Sequence, residues 1–389
     1  MKKYSDLVYL DHNATTYLDD RVLDVMLPYL KEKFANPSSV YRFSQNVKMD
    51  LGEAKQKLLD LLGARNGKLI VTGGGSEANN LAIKGYLSAN EAKGKHIITS
   101  AIEHHSVLHT CQDLKDVDVT YVPVDKYGLI DLKELRKAIR EETALITIMY
   151  ANNETGVIQP IEEVLEIAKK QGIAVHTDAV QIIGKKEINI EQLGVDMLTF
   201  SAHKFYGSKG VGGLYVKKGI KLDPQVRGGR QEQGLRAGTE NVAGTIGMAK
   251  ALEIALENWS LEWEREEAMR NRLQSMILEN IPEVLLNGHL DKRLANTLNV
   301  IFKYVEGEGL ILMLDRERIC VSSGSACTSG TLDPSHVLLA MDIPVEFAHG
   351  SLRFSFGRLN EEGDVDKAYK VVKKAVDTLR SMSPLWPPR

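Results

Sequence analysis

Between Lys68 and Val216, short apolar, β-branched runs alternate with amphipathic segments, a pattern that few folds accommodate. Parallel strands need crossovers of a dozen or more residues, so strands separated by helical segments predict a parallel sheet with helices on its faces. The runs Lys68 to Thr72, His96 to Ser100, Val119 to Val122, Leu145 to Tyr150, Ile173 to Thr177, Met197 to Phe200 and Gly213 to Val216 predict seven strands of a mainly parallel, doubly wound α/β core. Helical patterns beginning near Ser76, Ser106, Leu132 and Ile161 supply the crossovers. A chain of 389 residues exceeds what one core ordinarily serves, so a second, smaller unit is expected. From about Asn241 to Asn280 an Ala-, Leu- and Glu-rich helical pattern, interrupted near Asn258-Trp259-Ser260, is long enough to join the two. Beyond it, strands Leu294 to Phe302 and Ser351 to Phe356, with helices Gly309 to Leu314, Ser335 to Met341 and Glu361 to Met382, predict a small α+β domain.

Several function classes are excluded by composition. The formal charge is −3 and the basic residues are interspersed with acids, so no electrostatic footprint exists for nucleic acid or an anionic membrane. The apolar stretch before Asp11 is too short for a signal-peptide core, and no run approaches a membrane span, so a cytoplasmic location is expected. Cys111, Cys320 and Cys327 form neither an even set nor a CxxC pair, which argues against a disulfide framework or a structural zinc site. No intrinsic metal is expected. Cys111 and Cys320 sit in apolar patterns and read as core.

Two of the strands end at chemistry. Ala174-Val175-His176-Thr177 stops at Asp178, and Leu198-Thr199-Phe200 runs into Ser201-Ala202-His203-Lys204. Ligands of α/β sheets bind outside the carboxyl ends of strands, so Asp178 and Lys204 are expected to face one crevice. Pyridoxal phosphate needs that pair: a lysine for a Schiff base, and an acid beside the pyridine nitrogen so that the ring can accept electrons. Ser201 and His203 offer donors to its phosphate. Val71-Thr72-Gly73-Gly74-Gly75-Ser76 joins a strand to a helix, where close backbone approach and the helix N-terminus favour an anion. It is neither a Walker loop nor a GxGxxG fingerprint. His104 and His105 follow another strand, as stacking and proton-moving groups or as helix caps. Asn152, Asn153 and Glu154 offer polar groups at the same sheet edge, or simply a turn.

Val321 to Thr331 is too small and polar to pack as core, and it carries one soft nucleophile, Cys327. Arg353, on an apolar strand, needs either a substrate carboxylate or an internal salt bridge. Arg227-Gly228-Gly229-Arg230 and Arg236-Ala237-Gly238-Thr239 read as an anion-facing or interface loop, or as plain surface.

Asp178, the Ser-Ala-His-Lys of residues 201 to 204, and Ser-Ser-Gly-Ser-Ala-Cys-Thr-Ser at 322 to 329 together resemble the cysteine desulfurases, fold-type I pyridoxal phosphate enzymes of the class V aminotransferase superfamily. The resemblance runs from Tyr9-Leu10-Asp11-His12-Asn13-Ala14-Thr15-Thr16 to Ser383-Pro384-Leu385-Trp386. The extended cysteine loop, about residues 321 to 333, resembles the group I branch that supplies sulfur for iron–sulfur clusters and tRNA thiolation. The resemblance implies a large domain over 15–255, and a small one made of 1–14 with 256–389. It implies that Lys204 forms the Schiff base, Asp178 holds the pyridine nitrogen, Gln181 meets the phenolic oxygen and His104 stacks on the ring and assists proton transfer. Gly75, Ser76, Ser201 and His203 would bind the phosphate, with Thr239 reaching in from the second subunit of a homodimer. Asn153 and Arg353 would orient the carboxylate of L-cysteine. Cys327 would attack its sulfur, giving alanine and a persulfide destined for an iron–sulfur scaffold or another acceptor protein, and is a candidate transient cluster ligand. A selenocysteine lyase or another class V aminotransferase would share Lys204 and Asp178 without requiring Cys327, and a cluster scaffold would use Cys327 without the cofactor site. Ser76 stands where the family often has Thr, and the three consecutive glycines predict a looser phosphate loop.

Overall fold

The computed structural model describes residues 6–323, 333–384 and 386. Its strands, in chain order, are β1 (Val8–Tyr9), β2 (Gly67–Thr72), β3 (His96–Ser100), β4 (Asp118–Val122), β5 (Thr143–Thr147), β6 (Ala174–Asp178), β7 (Met197–Ser201), β8 (Gly212–Lys217), β9 (Val284–Asn287), β10 (Thr297–Phe302), β11 (Ile319–Cys320) and β12 (Ser351–Ser355). The main sheet has seven strands in the order β2-β8-β7-β6-β5-β3-β4. From β4 to β7 neighbours run parallel, and β8 lies antiparallel to both β7 and β2. The α/β class and all seven expected strands are present.

β3, β5, β6 and β7 are buried along their whole length, which is why they read as near-continuous apolar runs rather than as alternation. The exception on β6 is satisfied locally: the His176 ring bridges Thr147 Oγ1 at 2.8 Å and Thr199 Oγ1 at 3.0 Å. β5 stops at Thr147, short of the expected Tyr150. The chain nevertheless stays beside β6 through Ile148 N–H to His176 O (3.2 Å) and Tyr150 N–H to Asp178 O (2.8 Å). Ile98, Ile146, Val175 and Leu198 form the centre of the large core. Truncating any one of them is expected to cost roughly 2–5 kcal/mol.

The second unit is a three-stranded antiparallel sheet, β12-β10-β9, packed with helices Trp259–Asn280, Gly307–Arg316 and Glu362–Met382 around Leu273, Leu298, Phe302, Leu314, Phe354 and Val372. Val8 and Leu10 belong to this second core, and β1 pairs in parallel with β11. The expected break in the connecting helix falls at Asn258, between Val242–Glu257 and Trp259–Asn280. Helices Asp20–Lys31 and Arg42–Leu61, and strand β9, lie outside the elements expected from sequence. Cys111 is buried, whereas Cys320, read as core, is only half-buried on the two-residue strand β11. Among the described residues no helix is long and apolar enough to cross a membrane.

Candidate active site

β6 and β7 are parallel neighbours, so their carboxyl ends share one edge of the sheet. β6 ends at Asp178; after β7 the 3₁₀ turn Ala202–Lys204 follows, and Asp178 and Lys204 line one cavity of about 310 Å³. Both Asp178 oxygens are held: Oδ2 accepts from Asn79 Nδ2 at 2.7 Å, and Oδ1 from the Val180 N–H at 3.0 Å. Lys204 Nζ donates to the carbonyl of Asn13 and, at 2.8 Å, to that of Ala14.

Gly75 and Ser76 open the helix Gly75–Ala89 against the same cavity, and no side chain caps that helix N-terminus. A Cβ on Gly75 would lie 2.9 Å from Val180 Cγ2, so only glycine lets the helix start this close to the turn after β6. The glycine run is better tied than its composition predicts. Gly73 N–H donates to Glu77 at 2.8 Å, Thr72 Oγ1 to the Gly74 carbonyl at 3.0 Å, and Arg236 Nε holds Glu77 at 2.8 Å. Those bonds fix a loop that glycine alone would leave loose.

His104 lines the cavity and caps the helix His105–Gln112. Its Nδ1 accepts the Ser106 N–H at 3.1 Å, which leaves Nε2 as the proton-bearing atom of the neutral ring. Burial holds its pKa below the ordinary imidazole value, helped by the charge of Lys204 and opposed by Asp178. Ser201 and His203 also line the cavity. His203 is pushed down to about 4 by burial, then by the charges of Lys204 and Lys209.

Arg353 makes the internal salt bridge that was one of its two readings. It is 2 % exposed, lines the cavity, and pairs through Nη2 with Asp11 Oδ1 at 2.7 Å while Nη1 donates to the Asn153 carbonyl at 3.0 Å. Asn153 and Gln181 are on the cavity wall, whereas Asn152 serves a turn, its Oδ1 accepting from Glu154 N–H and Thr155 N–H at 2.9 Å each. Thr239 is exposed and is not among the lining residues. Cys327 lies outside the described residues. The chain on its amino-terminal side pairs by backbone with β12, Arg353 N–H to Ser322 O at 2.7 Å and Ser322 N–H to Arg353 O at 3.2 Å. On its carboxyl side, Ser335 donates to Glu154, and His336 Nε2 lies 2.9 Å from the Glu103 carbonyl.

Four residues of the site were not singled out by sequence reasoning: Asn13, Asn79, Ser106 and Lys185. Asn79 is one helical turn beyond Gly75 and Ser76, a spacing that places it on their face. Asn13 sits in the polar run after β1, and its reach to Gln181, Asn153 and Thr297 is purely tertiary.

A sequence model described as aminotransferase class-V matches residues 8–368. The chain is 51 % identical over 382 residues to a protein named cysteine desulfurase IscS from Methanosarcina thermophila, covering 98 % of this chain and 94 % of that one. Among solved structures it resembles a NifS-like protein with a TM-score of 0.88 at 39 % identity, covering 96 % of this chain and 99 % of the other. It also resembles SspA, solved in complex with cysteine, with a TM-score of 0.78 at 36 % identity and coverage of 90 % and 98 %. Matches of this length and identity, on a cavity built from Lys204, Asp178 and Arg353, make the chain a member of the class-V aminotransferase family and, within it, of the cysteine desulfurases.

Proposed function

We propose that this chain converts L-cysteine to L-alanine, passing the sulfur to Cys327 as a persulfide for iron–sulfur cluster assembly. The observation that carries this reading is the meeting of Lys204, Asp178 and Arg353 in one cavity. The family works with pyridoxal phosphate, and the cavity suits it: an amine, a fixed carboxylate, an imidazole wall and an uncapped helix N-terminus are the donor set a phosphorylated pyridine aldehyde requires. Lys204 would hold the carbonyl carbon, Asp178 the ring nitrogen, and Gly75, Ser76, Ser201 and His203 the phosphate. Bound there, the cofactor supplies an electron sink for the Cα–H bond of the amino acid.

The residues of the chain do the rest. Arg353 and Asn153 orient the substrate carboxylate, which shares the guanidinium with Asp11. Lys204 Nζ would serve as the base for the α-proton of the substrate. His104, neutral near pH 7 because burial lowers its pKa, moves a proton at Nε2. The Cys327 thiolate attacks the substrate sulfur, so the S–C bond electrons return to the substrate as the S–S bond forms. Ser322, five positions before Cys327, is anchored by backbone pairing with Arg353.

A homodimer belongs to the same reading. Phe34 and Val40 are 72 % and 93 % exposed, with Phe34 edge-on to Phe43 at 5.4 Å, a patch suited to a second copy that delivers its own Thr239. The boundaries 15–255, and 1–14 with 256–389, are proposed on the two separate cores. A reducing, cytoplasmic setting suits a thiolate nucleophile, and the partner is an acceptor protein such as an iron–sulfur scaffold.

The test is alanine formation from L-cysteine by the holoenzyme and by Cys327→Ser under reducing conditions. Alanine from the wild type alone is expected. Equal alanine from both would mean a lyase that needs no cysteine nucleophile.

A further inference from the structure

Lys185 is half-buried with its amine turned inward, four residues after Gln181 in the turns that follow β6. Its Nζ donates to Gln181 Oε1 at 3.2 Å and to Asn13 Oδ1 at 2.9 Å. On the other side of the same amide, Gln181 Nε2 donates to the Asn13 backbone carbonyl at 3.0 Å. Side-chain amides are easily turned end for end, but here the partners decide. A lysine amine faces the oxygen as a donor, and a backbone carbonyl can only accept, so Oε1 must face Lys185 and Nε2 must face Asn13. One of the two Nε2 hydrogens is thereby used, and the residue lines the cavity.

We propose that Lys185 is a positioning residue, which fixes the Gln181 amide so that its NH₂ donates into the cavity toward the anionic ring oxygen of the bound cofactor. This rests on the reading that Gln181 meets that oxygen. Without Lys185 the amide is held on one side only, and the orientation that turns Oε1 toward an anionic oxygen becomes accessible. Burial lowers the pKa of Lys185, while Glu266 opposes the shift and the charges of Lys204 and Arg353 add to it. The lock does not depend on that charge, since a neutral amine has two N–H bonds for its two acceptors. Glu266 lines a small cavity of about 20 Å³ with Lys185 and Lys204, so it is the group left behind when Lys185 is removed.

The experiment titrates the visible absorption of the bound cofactor with pH in the substrate-free holoenzyme. Losing a donor to the ring oxygen makes the deprotonated chromophore less stable, so its midpoint moves up. Lys185→Met is expected to raise it by about one pH unit, and Lys185→Met/Glu266→Gln, which leaves no unpaired buried acid, by the same amount. Gln181→Leu is expected to raise it similarly, and adding Lys185→Met to Gln181→Leu to raise it no further. An unchanged midpoint in either Lys185 variant overturns the proposal. So does a full second shift on top of Gln181→Leu, because Lys185 would then act through its charge alone. Failure of both Lys185 variants, but not of Gln181→Leu, to retain cofactor also overturns it. If Gln181→Leu itself leaves the midpoint in place while Lys185→Met moves it, the reading of Gln181 fails instead. Thermal transitions of the cofactor-free proteins confirm that each variant is folded.

Discussion

Asn79 Nδ2 lies 2.7 Å from Asp178 Oδ2 and 2.8 Å from Ser106 Oγ, so the helix that opens at Gly75 supplies, one turn later, the donor that aims the carboxylate of β6. Phosphate end and ring-nitrogen end of the proposed cofactor site are thereby set by a single rigid element. Asn79→Ala is expected to weaken pyridoxal phosphate binding by about tenfold, the equivalent of one charge-assisted hydrogen bond. Absorbance titration of the cofactor-free protein measures it, and wild-type affinity in the variant would show that Asp178 needs no such support.

Arg353 is the proposed anchor for the substrate carboxylate, and its planar fork matters more than its charge. Lysine in its place keeps the charge but cannot bond two oxygens in parallel. Arg353→Lys should raise KM for L-cysteine by about tenfold with a smaller fall in kcat. Steady-state alanine formation decides, and a KM left in place would rule the role out.

Acid stability follows from His176. Burial lowers its pKa to about 3, against an ordinary 6.5, so between those values the unfolded chain binds the extra proton. Its contribution is complete above pH 6.5 and is lost at about 1.4 kcal/mol per pH unit as pH falls toward 3. Glu103 has the opposite sign: burial raises it from 4.5 to about 8, so the folded chain holds the proton and stability falls as pH rises through that window. Denaturation of wild type and His176→Asn at pH 6.5 and 5.5 should show a drop about 1 kcal/mol smaller in the variant. An equal drop in both would assign the acid limb elsewhere.

Ser335 caps the helix His336–Ala340 through the Leu338 N–H at 3.2 Å and also donates to the buried Glu154. Ser335→Ala removes a cap and a carboxyl partner together and is expected to cost about 1–2 kcal/mol of stability. An unchanged denaturation midpoint would show that water replaces the hydroxyl at no cost.

Charge on the exposed aromatic patch tests the proposed subunit contact. Phe34→Glu combined with Val40→Glu should weaken self-association by about 100-fold and loosen cofactor retention, because Thr239 is expected to act across subunits. Sedimentation at several concentrations would expose the error if both proteins behave alike.

The main sheet was legible because its strands are buried on both faces and are punctuated by helices, and its chemistry because Asp178 and Lys204 interrupt apolar runs. β9 escaped notice because Val284, Leu285 and Leu286 are only partly buried at a sheet edge, where the apolar signal weakens. β1 and β11 are two residues each, too short for any period. Arg353 was legible as a charge needing a partner, but that its partner is Asp11 was not, since 342 residues separate them. Lys185 reads in sequence as an ordinary loop lysine. Only the fold turns its amine toward Gln181.

Asn13 bonds Gln181, Thr297 and Ser355, which lie 168, 284 and 342 residues along the chain. A polypeptide emerges from the ribosome amino end first and its domains fold largely in that order. Lys204, Asp178 and the helix at Gly75 therefore exist together before β10 and β12 have been made. On the proposed roles, the groups for a phosphorylated ring are made earlier in synthesis than Arg353, the group for the substrate carboxylate, which waits on β12.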